Sequence, residues 1–574
     1  MAMINLRIDG QPVEVPAGTT ILKAARTVGI NIPSLCYHPD LGVKGNCRIC
    51  AVEVAGSRTL QTACSQPVAL GMEVRTNSPE IREFRRINLE LILASHPQDC
   101  LNCSRNRRCE LQALADKLEV RSDRFPPRRI GLEADRSTPS IVRDSSKCIL
   151  CRRCVAACHQ VQEVGVLYPL HRGAGTVIAP EGGRPLAETS CVLCGQCIQA
   201  CPVGAIQEVN DTGRVWAALA DPELHVVVQT APAVRVAIGE ELGLAPGSIV
   251  TGKLVAALKR LGFDRVFDTD FTADLTIMEE GHELLERIAS GGVLPLITSC
   301  SPGWVNFAER FYPEFLPNLS TCKSPQQMFG ALAKTYYAER AGIDASRIRV
   351  VSIMPCTAKK YECVRPELAD SGFPDVDIVL TTRELGRMIR ESGLDFAALP
   401  EAEYDQPLGL STGAGVIFGA TGGVMEAALR TVSEVATGKE LPGLEFKAAR
   451  GMRGVKEAMV DLEGTEVRVA IAHGLANARL ILDRIKEGSS SYHFIEVMCC
   501  PGGCIGGGGQ PFPTNSQTRR ARMEALYEAD RGMPLRRSHL NPAVQALYAE
   551  FLERPLSDKA HHLLHTHYTN RKIR

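Results

Sequence analysis

Two short runs of cysteine near residues 150 and 195 repeat one another. Each run has the spacing C-x2-C-x2-C-x3-C, and Pro202 follows the second run. Three thiolates in so short a loop can wrap one face of an iron-sulfur cubane, while the fourth thiolate of each run reaches the other cluster. The repeat therefore predicts two [4Fe-4S] clusters, since zinc sites pair their ligands two and two across a spacer. The ligand sets are Cys148, Cys151, Cys154 and Cys201 for one cluster, and Cys191, Cys194, Cys197 and Cys158 for the other.

Two further ligand sets precede these runs. In the first set, ten residues separate one cysteine from a close C-x2-C pair, and a fourth cysteine follows well after the pair. This spacing favours a [2Fe-2S] cluster. Zinc is the alternative if spacing alone is considered. In the second, one imidazole joins three thiolates, which can hold a [4Fe-4S] cluster whose potential the neutral ligand shifts. The first set is Cys36, Cys47, Cys50 and Cys64, and the second is His96, Cys100, Cys103 and Cys109.

The overall composition agrees with metal-binding cysteines. Fifteen of the 22 cysteines lie before residue 202, and in a reducing compartment close C-x-x-C spacings favour metal over disulfides. The 65 basic and 65 acidic residues leave no net field to attract nucleic acid or an anionic membrane surface. No apolar stretch has the length of a membrane helix, and the first ten residues lack signal-peptide features. We therefore expect a cytoplasmic protein with no membrane span and no nucleic-acid partner.

Several structural units must position these ligands, because 574 residues exceed what one hydrophobic core supports. Alternating apolar residues predict strands at 3–8 and 11–15, followed by a helix at about 20–28. Residues 80–94 predict another helix, which leads into the histidine-containing ligand set. Beyond residue 216, apolar runs alternate with helical stretches, as in parallel sheets buried on both faces. These runs are 225–229, 349–354 and 467–472.

Three segments in the second half carry recognisable motifs: TSCSPGW at 298–304, MPCTAKK at 354–360, and EVMCCPGGC at 496–504 followed by glycines 506–509. These motifs resemble those of iron-only, or [FeFe], hydrogenases. Together with the ligand sets that precede them in the chain, the resemblance covers essentially the whole sequence. The first 215 residues resemble the iron-sulfur subunit of respiratory NADH dehydrogenase equally well, so the second half decides. The resemblance implies reversible oxidation of hydrogen at an H-cluster, a cubane joined through a cysteine sulfur to a two-iron subsite with carbonyl, cyanide and dithiolate ligands.

The resemblance also implies the H-cluster ligands, with one departure. In register, Cys300 takes the proton-relay position and Ser301 takes a position where relatives have a ligand cysteine. The fourth cubane ligand is therefore Cys300 after a local shift, Ser301, or a neighbouring thiol such as Cys499. Thiolate binds iron better than a hydroxyl, which favours a cysteine. The three implied ligands are Cys356, Cys500 and Cys504, with Cys504 as the bridge.

By the same resemblance, other residues would surround the two-iron subsite. Lys359 would donate a hydrogen bond to a cyanide, whereas the adjacent Lys360 is expected to be an ordinary solvated lysine. Ala233 replaces a serine of many relatives, so one hydrogen bond to the other cyanide would be missing. Cys322 and Cys363 have no ligand spacing and are expected to be packing residues. The remaining implied cofactor contacts are Pro232, Gln326, Met354 and Met498.

A proton exit is implied as well. Glu280 and Glu283 lie three apart on a predicted helix, share one face, and match family relay positions together with Ser320 and Arg287. Without the resemblance, a solvated acidic face is the simpler interpretation. The histidines of the C-terminal segment are likewise expected on a solvated helix face rather than in a metal site, and they are His561, His562, His565 and His567.

Together these features predict a multidomain α/β and α+β chain. Electrons would pass through three accessory [4Fe-4S] clusters and one [2Fe-2S] cluster to ferredoxin, to flavin-containing NAD(H) subunits, or to both, and maturation factors would insert the two-iron subsite. Two alternatives are a hydrogen-sensing homologue and an electron-transfer subunit of an NADH-linked complex. The expected units are a [2Fe-2S] plant-ferredoxin-like (β-grasp) domain at 1–80, a His/Cys3 cluster domain at 81–135, a bacterial-ferredoxin-like domain at 136–215, an H-cluster domain at 216–540, and a helical tail at 541–574.

Overall fold

The N-terminal region is a five-stranded mixed sheet covered by one helix. In the computed structural model, which describes residues 2–121, 124–126, 133–462 and 465–572, the strand order is β2-β1-β5-β3-β4. β1 pairs antiparallel with β2 and parallel with β5, and their inward-facing side chains pack on helix α1. The elements are β1 (Met3–Ile8), β2 (Gln11–Pro16), α1 (Ile21–Thr27), β3 (Ala51–Val54), β4 (Gln61–Thr62) and β5 (Glu73–Arg75).

Short elements hold the next cysteine loops. Within these loops Arg107, Leu150, Arg152 and Leu193 have positive φ, a conformation rare for residues other than glycine, which lets the backbone turn tightly around a common centre. Two helices begin inside the repeated cysteine runs, so their first turns carry ligand cysteines. The elements are α2 (Pro79–Ala94), α3 (Glu110–Lys117), β6 (Ile141–Arg143), α4 (Arg153–Ala156), β7 (Tyr168–Leu170), β8 (Val177–Ala179), α5 (Gln196–Ala200) and β9 (Ile206–Glu208).

The large C-terminal region contains two four-stranded sheets. The first, in the order β11-β10-β13-β14, is entirely parallel. The second, in the order β12-β17-β16-β15, is parallel except for its antiparallel edge strand β15. The prediction of parallel sheets is thus confirmed, with one antiparallel edge added. The strands are β10 (His225–Thr230), β11 (Arg265–Asp268), β12 (Leu296–Ile297), β13 (Ile348–Met354), β14 (Ile378–Thr381), β15 (Val455–Leu462), β16 (Thr465–His473) and β17 (Phe494–Met498).

The three motifs of the second half follow the carboxyl ends of parallel strands. Residues 298–304 come after β12, Pro355 and Cys356 come after β13, and Cys499 comes after β17. Carboxyl ends of parallel strands are where open α/β sheets commonly place their ligand sites. Here strands of both sheets deliver their motifs to the same place.

Helices surround both sheets, and the C-terminal segment belongs to the core. Val544, Leu547 and Leu563 are buried in the same hydrophobic cluster as β10 and β13. No helix in the described part of the chain is both long and apolar enough to cross a bilayer. The helices are α6 (Thr212–Ala220), α7 (Ile238–Glu241), α8 (Thr251–Leu261), α9 (Thr269–Ser290), α10 (Pro302–Phe311), α11 (Pro325–Leu332), α12 (Ala338–Ala341), α13 (Ala358–Glu362), α14 (Thr382–Glu391), α15 (Gly413–Val416), α16 (Gly423–Thr437), α17 (Leu475–Lys486), α18 (Ser516–Gly532), α19 (Pro542–Leu547) and α20 (Asp558–Leu564).

Candidate active site and metal centres

A cavity of about 80 Å³ lies where the two sheets meet. Its wall is mostly apolar and includes Phe418, Ala273 and Pro325. The motif segments that follow β12, β13 and β17 bring five cysteines to this one wall, and Cys194 of the second repeated run is the sixth, although these residues are far apart in the sequence. The cysteines are Cys194, Cys300, Cys356, Cys499, Cys500 and Cys504.

The chemistry of this donor set fits an iron-sulfur centre. Burial raises the pKa of the Cys504 thiol to about 12, with Cys500 raising it further, and the pKa of Cys356 is raised by the same two causes. Among the described residues that line the cavity, Lys359 alone carries a positive charge. Several thiolates could not share this apolar space unless a metal group compensated their charge. The residues present therefore suit an H-cluster, whose cubane needs thiolates and whose two-iron end needs an apolar enclosure.

Most of the cofactor contacts implied by the sequence line this cavity. Pro232, Met354 and Met498 are part of its wall, and so is Gln326, whose buried Oε1 has no hydrogen-bond partner among the described residues. Such an orphaned polar atom beside a cavity is available to a bound group. Ala233 is different, because it lies behind the wall with its carbonyl accepting a bond from Gln510 at 3.2 Å.

Lys359 is held by a residue that sequence reasoning missed. Its Nζ contacts both carboxylate oxygens of Glu362, at 2.8 and 3.1 Å. The same carboxylate accepts bonds from Ser324 and Gln326 at 3.0 and 3.1 Å, so Glu362 joins Lys359 to the cavity wall. The sequence signal for this pair was that Lys359 and Glu362 lie three residues apart, a spacing at which side chains on a helix are neighbours.

The expectation for Lys360 is wrong. It is 3% exposed, and its Nζ lies 2.6 Å from Asp211 Oδ2 and 3.1 Å from Glu384 Oε1. A buried ammonium requires such partners, so Lys360 joins α13 to neighbouring elements instead of facing solvent.

A chain of polar side chains leads outward from Cys300. Burial raises the pKa of the Cys300 thiol and the nearby charge of Glu280 raises it further. Ser320 donates to Glu283 at 2.9 Å and lies within hydrogen-bonding reach of Glu280. Glu283 then pairs with Arg287 at 2.7 Å. The five predicted residues thus lie in sequence from the cavity toward a partly exposed arginine.

The alternative of a solvated acidic face is wrong for this helix. Glu280 and Glu283 are only 3% and 8% exposed. Burial, and then the charge of Glu283, raises the pKa of Glu280 to about 8. A carboxyl group with a pKa near the working pH can both take up and release a proton.

Two residues expected to be unimportant contact this polar chain. The Cys322 thiol lies 3.9 Å from the Glu283 carboxylate, so it does more than fill space. His565 was expected on a solvated face with the other tail histidines, but it is buried. Its Nδ1 is 2.7 Å from Thr321 Oγ1 and its Nε2 is 3.1 Å from Glu279 Oε2. The backbone fold of the C-terminal segment, which brings it against α9, could not be read from the sequence.

The two repeated cysteine runs each enclose a smaller cavity. Each cavity is lined by the first three cysteines of one run and the last cysteine of the other run. This grouping agrees with the predicted ligand sets, in which the fourth thiolate of each run reaches the other cluster. Burial raises the pKa of the Cys148 thiol to about 11 and that of Cys191 to about 12. The two sets of lining cysteines are Cys148, Cys151, Cys154 and Cys201, and Cys158, Cys191, Cys194 and Cys197.

The four cysteine thiols of the first upstream set lie together. The Cys36 thiol contacts those of Cys47 and Cys64, contacts that lower its pKa, and Cys64 in turn contacts Cys50. Arg85 of α2 fixes this loop by donating to two of its carbonyls at 2.7 and 3.1 Å.

The histidine-containing set shows an unsatisfied donor atom. His96 Nδ1 is buried and has no hydrogen-bond partner among the described residues, and burial lowers the pKa of the ring. A neutral imidazole with a free nitrogen is what a metal requires of histidine. Two other members of this set, the Cys103 and Cys109 thiols, are close enough to each other to interact electrostatically.

Contacts between the sets form a continuous route. Asn46 beside the first set donates to the Cys151 carbonyl at 3.3 Å, and Arg105 of the histidine-containing set donates to the Cys201 carbonyl at 3.2 Å. Both upstream sets therefore meet the same ferredoxin-like cavity. Cys194 of the second such cavity also lines the large cavity, which completes the path.

The Pro/Arg-rich segment after the histidine-containing set is only partly described. Of residues 124–129, the structure describes 124–126, and the others lie outside the described residues.

Family models match almost the whole chain. The model described as "Iron only hydrogenase large subunit, C-terminal domain" matches residues 224–508, and "Iron hydrogenase small subunit" matches 516–571. "2Fe-2S iron-sulfur cluster binding domain" matches 1–79, "NADH-ubiquinone oxidoreductase-G iron-sulfur binding region" matches 85–124, and "4Fe-4S dicluster domain" matches 147–205.

Individual relatives give the same picture. The NADP-reducing hydrogenase subunit HndD of Solidesulfovibrio fructosivorans is 51% identical, with 100% of both chains covered. Iron hydrogenase 1 of Clostridium pasteurianum is 42% identical over 99% of this chain and 100% of its own. Among solved structures, an apo [FeFe]-hydrogenase HydA1 variant from Chlamydomonas reinhardtii matches with a TM-score of 0.58 and 45% identity, covering 64% of this chain and 100% of that one.

Proposed function

Because this chain belongs to the iron-only hydrogenase family, we propose that its thiol-lined cavity is where it interconverts hydrogen with protons and electrons. When bound, an H-cluster supplies the two-iron site at which hydrogen is split or formed. Cys356, Cys500 and Cys504 would hold the cubane of this group, and Met354 and Met498 would pack against its two-iron subsite. The cavity wall excludes water, which keeps the separated charges under the control of the protein.

The polar chain moves the proton. Cys300 holds a proton at the cavity wall and passes it to Glu280, and burial keeps both groups mainly protonated near neutral pH. Ser320 relays it to Glu283, and the partly exposed Arg287 marks the exit. Lys359 lines the cavity and is fixed by Glu362, and its ammonium would donate a hydrogen bond to an anionic ligand of the bound group.

The accessory sets carry the electrons. We assign one [2Fe-2S] and three [4Fe-4S] clusters to them, with Cys194 nearest the active site and the two upstream sets as alternative ends of the path. The name of the HndD relative, an NADP-reducing hydrogenase subunit, supports an NADP(H)-linked partner. We propose that this partner is a flavin-containing NAD(P)(H) subunit and that ferredoxin is a second partner. Any nucleotide site would then lie on another polypeptide. The five-part division of the chain, its cytoplasmic location and its need for maturation factors belong to the same proposal.

One observation supports the proposal most strongly: a single cavity gathers the motif cysteines, with Glu280 on one side and Cys194 on the other. Infrared spectroscopy of the anaerobically matured protein tests it. The wild type should show bands of iron-bound carbonyl and cyanide and should evolve hydrogen from a reduced dye. Cys504→Ala should lose both, whereas Cys363→Ala, which changes a thiol outside the cavity, should lose neither.

Two other results would replace the proposal. Repeated absence of these bands in the matured wild type would leave an electron-transfer protein. Bands without appreciable turnover would instead support a hydrogen-sensing homologue.

A further inference from the structure

The fourth thiolate of the cubane is not decided by the motif that precedes α10, because Ser301 stands beside Cys300 there. Three cysteines already converge on the cubane end of the cavity, namely Cys356, Cys500 and Cys504. Of the other thiols on the wall, Cys194 belongs to an accessory set, which leaves Cys300 and Cys499.

These two thiols have different neighbours. The charged and thiol groups that act on Cys300 are Glu280, Cys504, Lys359 and Glu496, and the strongest of them is Glu280, the first carboxyl group of the relay. The Cys499 thiol instead makes side-chain contacts with those of Cys500 and Cys194. Cys499 therefore lies between the cubane ligands and the nearest accessory cluster, whereas Cys300 lies toward the relay.

Ser301 is occupied in holding Cys499. It stands at the N-terminal cap of α10, where serine usually accepts a bond from the helix backbone, but it makes no such capping bond. Its Oγ accepts instead from the backbone N–H of Cys499, 198 positions away, at 3.2 Å. The hydroxyl lies at the cavity wall and orients the backbone of Cys499.

Gly303 leaves room for the Cys499 thiol. A Cβ atom at this position would lie 2.7 Å from Cys499 Sγ, closer than any real contact of this kind. The buried Gln162 fixes the other side, because its Nε2 donates to the Cys499 carbonyl at 3.0 Å. The backbone of Cys499 is therefore held in place from both sides, and its thiol fills the space beside Gly303.

We infer that Cys499 is the fourth ligand of the H-cluster cubane, and that Cys300 is left free to move protons. This inference rests on the proposed hydrogenase function. A thiolate at Cys499 satisfies iron's preference for sulfur over a serine hydroxyl. Because the Cys499 thiol contacts that of Cys194, ligand sulfurs of two adjacent clusters would touch, which gives electrons a short path between them.

The test uses the full chain purified without maturation factors, so that the measured iron content and spectra do not depend on catalytic activity. Iron and sulfide content, Mössbauer spectra and EPR spectra are compared for the wild type, Cys499→Ala and Cys300→Ala. We expect Cys499→Ala to lose iron from one cubane, which ends as a three-iron cluster or an empty site. We expect Cys300→Ala to keep the wild-type iron content and to lose only proton transfer after maturation.

A double variant controls for misfolding. Ser301→Cys in the Cys499→Ala background places a thiol where the Ser301 hydroxyl now meets the Cys499 backbone, and it should restore the cubane spectrum. Cys363→Ala should match the wild type, and the accessory-cluster signals report folding in every variant.

The outcomes separate the inference from the function on which it rests. An unchanged cubane in Cys499→Ala would overturn the inference, and so would loss of the cubane in Cys300→Ala. Loss from Cys499→Ala of the accessory cluster held by Cys194, with the other cubane intact, would overturn it as well. If the matured wild type itself lacks carbonyl and cyanide bands, the proposed function fails instead.

Discussion

Burial decides what individual side chains can do in this protein. Glu280 and Glu283 have the spacing of an ordinary surface pair, yet both are buried, and Glu280 has a pKa of about 8. Lys359 and Glu362 form a buried pair beside the cavity, where an unpaired partner would be costly. Each of these roles depends on the surroundings of the side chain more than on its chemical type.

Replacing Glu280 by glutamine should stop the proton relay. Without a titratable group between Cys300 and Glu283, hydrogen evolution from a reduced dye should fall about 100-fold or more. Iron content and infrared bands should stay the same, since Glu280 binds no metal in our proposal. Retention of wild-type turnover would exclude Glu280 from the relay.

The same variant has a pH signature in stability. Folding raises the pKa of Glu280 from 4.5 to about 8, so between these values the folded protein holds a proton that the unfolded chain releases. The contribution of this group to stability is full below pH 4.5 and declines as pH rises toward 8. As pH rises from 5 to 8, the melting temperature of the wild type should therefore fall relative to that of Glu280→Gln. A difference that stays constant with pH would contradict the raised pKa.

A single-residue change should also reveal the histidine ligand. His96→Cys would replace a neutral ligand by an anionic one, which should lower the reduction potential of that cluster by on the order of 100 mV. An EPR-monitored redox titration measures this, and the other clusters serve as internal references. A potential that stays unchanged would show that His96 is not a ligand.

At the scale of elements, strand ends and one long helix build the site. β12, β13 and β17 release their motif segments at one place, and α9 carries the acidic residues of the relay past it. The C-terminal segment closes the outer side of α9, because Glu279 contacts His565 and accepts a bond from Tyr548. The segment thus stabilises the relay helix from outside.

Removing the His565 contact should loosen this closure. His565→Ala leaves Glu279 and Thr321 short of a partner, which should cost about 2 kcal/mol. The midpoint of thermal unfolding should fall, and limited proteolysis should cut the C-terminal segment sooner. His562→Ala is the matched control, because His562 is exposed on α20, the helix that ends immediately before His565. Equal effects of the two substitutions would argue against a special role for His565.

At the scale of the whole molecule, the chain forms a branched path. The [2Fe-2S] region and the histidine-containing set both meet the cavity that contains Cys201, and a second ferredoxin-like cavity then reaches the active site through Cys194. Two entry points suit an enzyme that exchanges electrons with more than one partner.

Cys50→Ala tests this branching. Loss of the [2Fe-2S] cluster should abolish electron exchange with an NAD(P)-linked flavin subunit while leaving dye-linked hydrogen uptake close to that of the wild type. A dye can take electrons from the remaining clusters, whereas a docked subunit uses one end of the path. Equal loss of both activities would show that the path is not branched in function.

The sequence by itself determined the local features of this protein. Ligand sets such as Cys148, Cys151 and Cys154 could be predicted because a loop of a few residues fixes how its thiolates meet one cluster. The strands β1 and β10 could be predicted because side-chain periodicity follows backbone geometry. The three motifs also indicated the family, since their residues are contiguous.

Only the tertiary structure decided which distant groups meet. The placement of Cys499 beside Ser301, the burial of Lys360, and the contact of His565 with Glu279 join residues that are far apart in the chain. Such contacts arise when sheets and helices pack, and no local spacing encodes them. Burial and charge then follow from that packing, which is why the cubane side and the proton side of the cavity could be distinguished only in three dimensions.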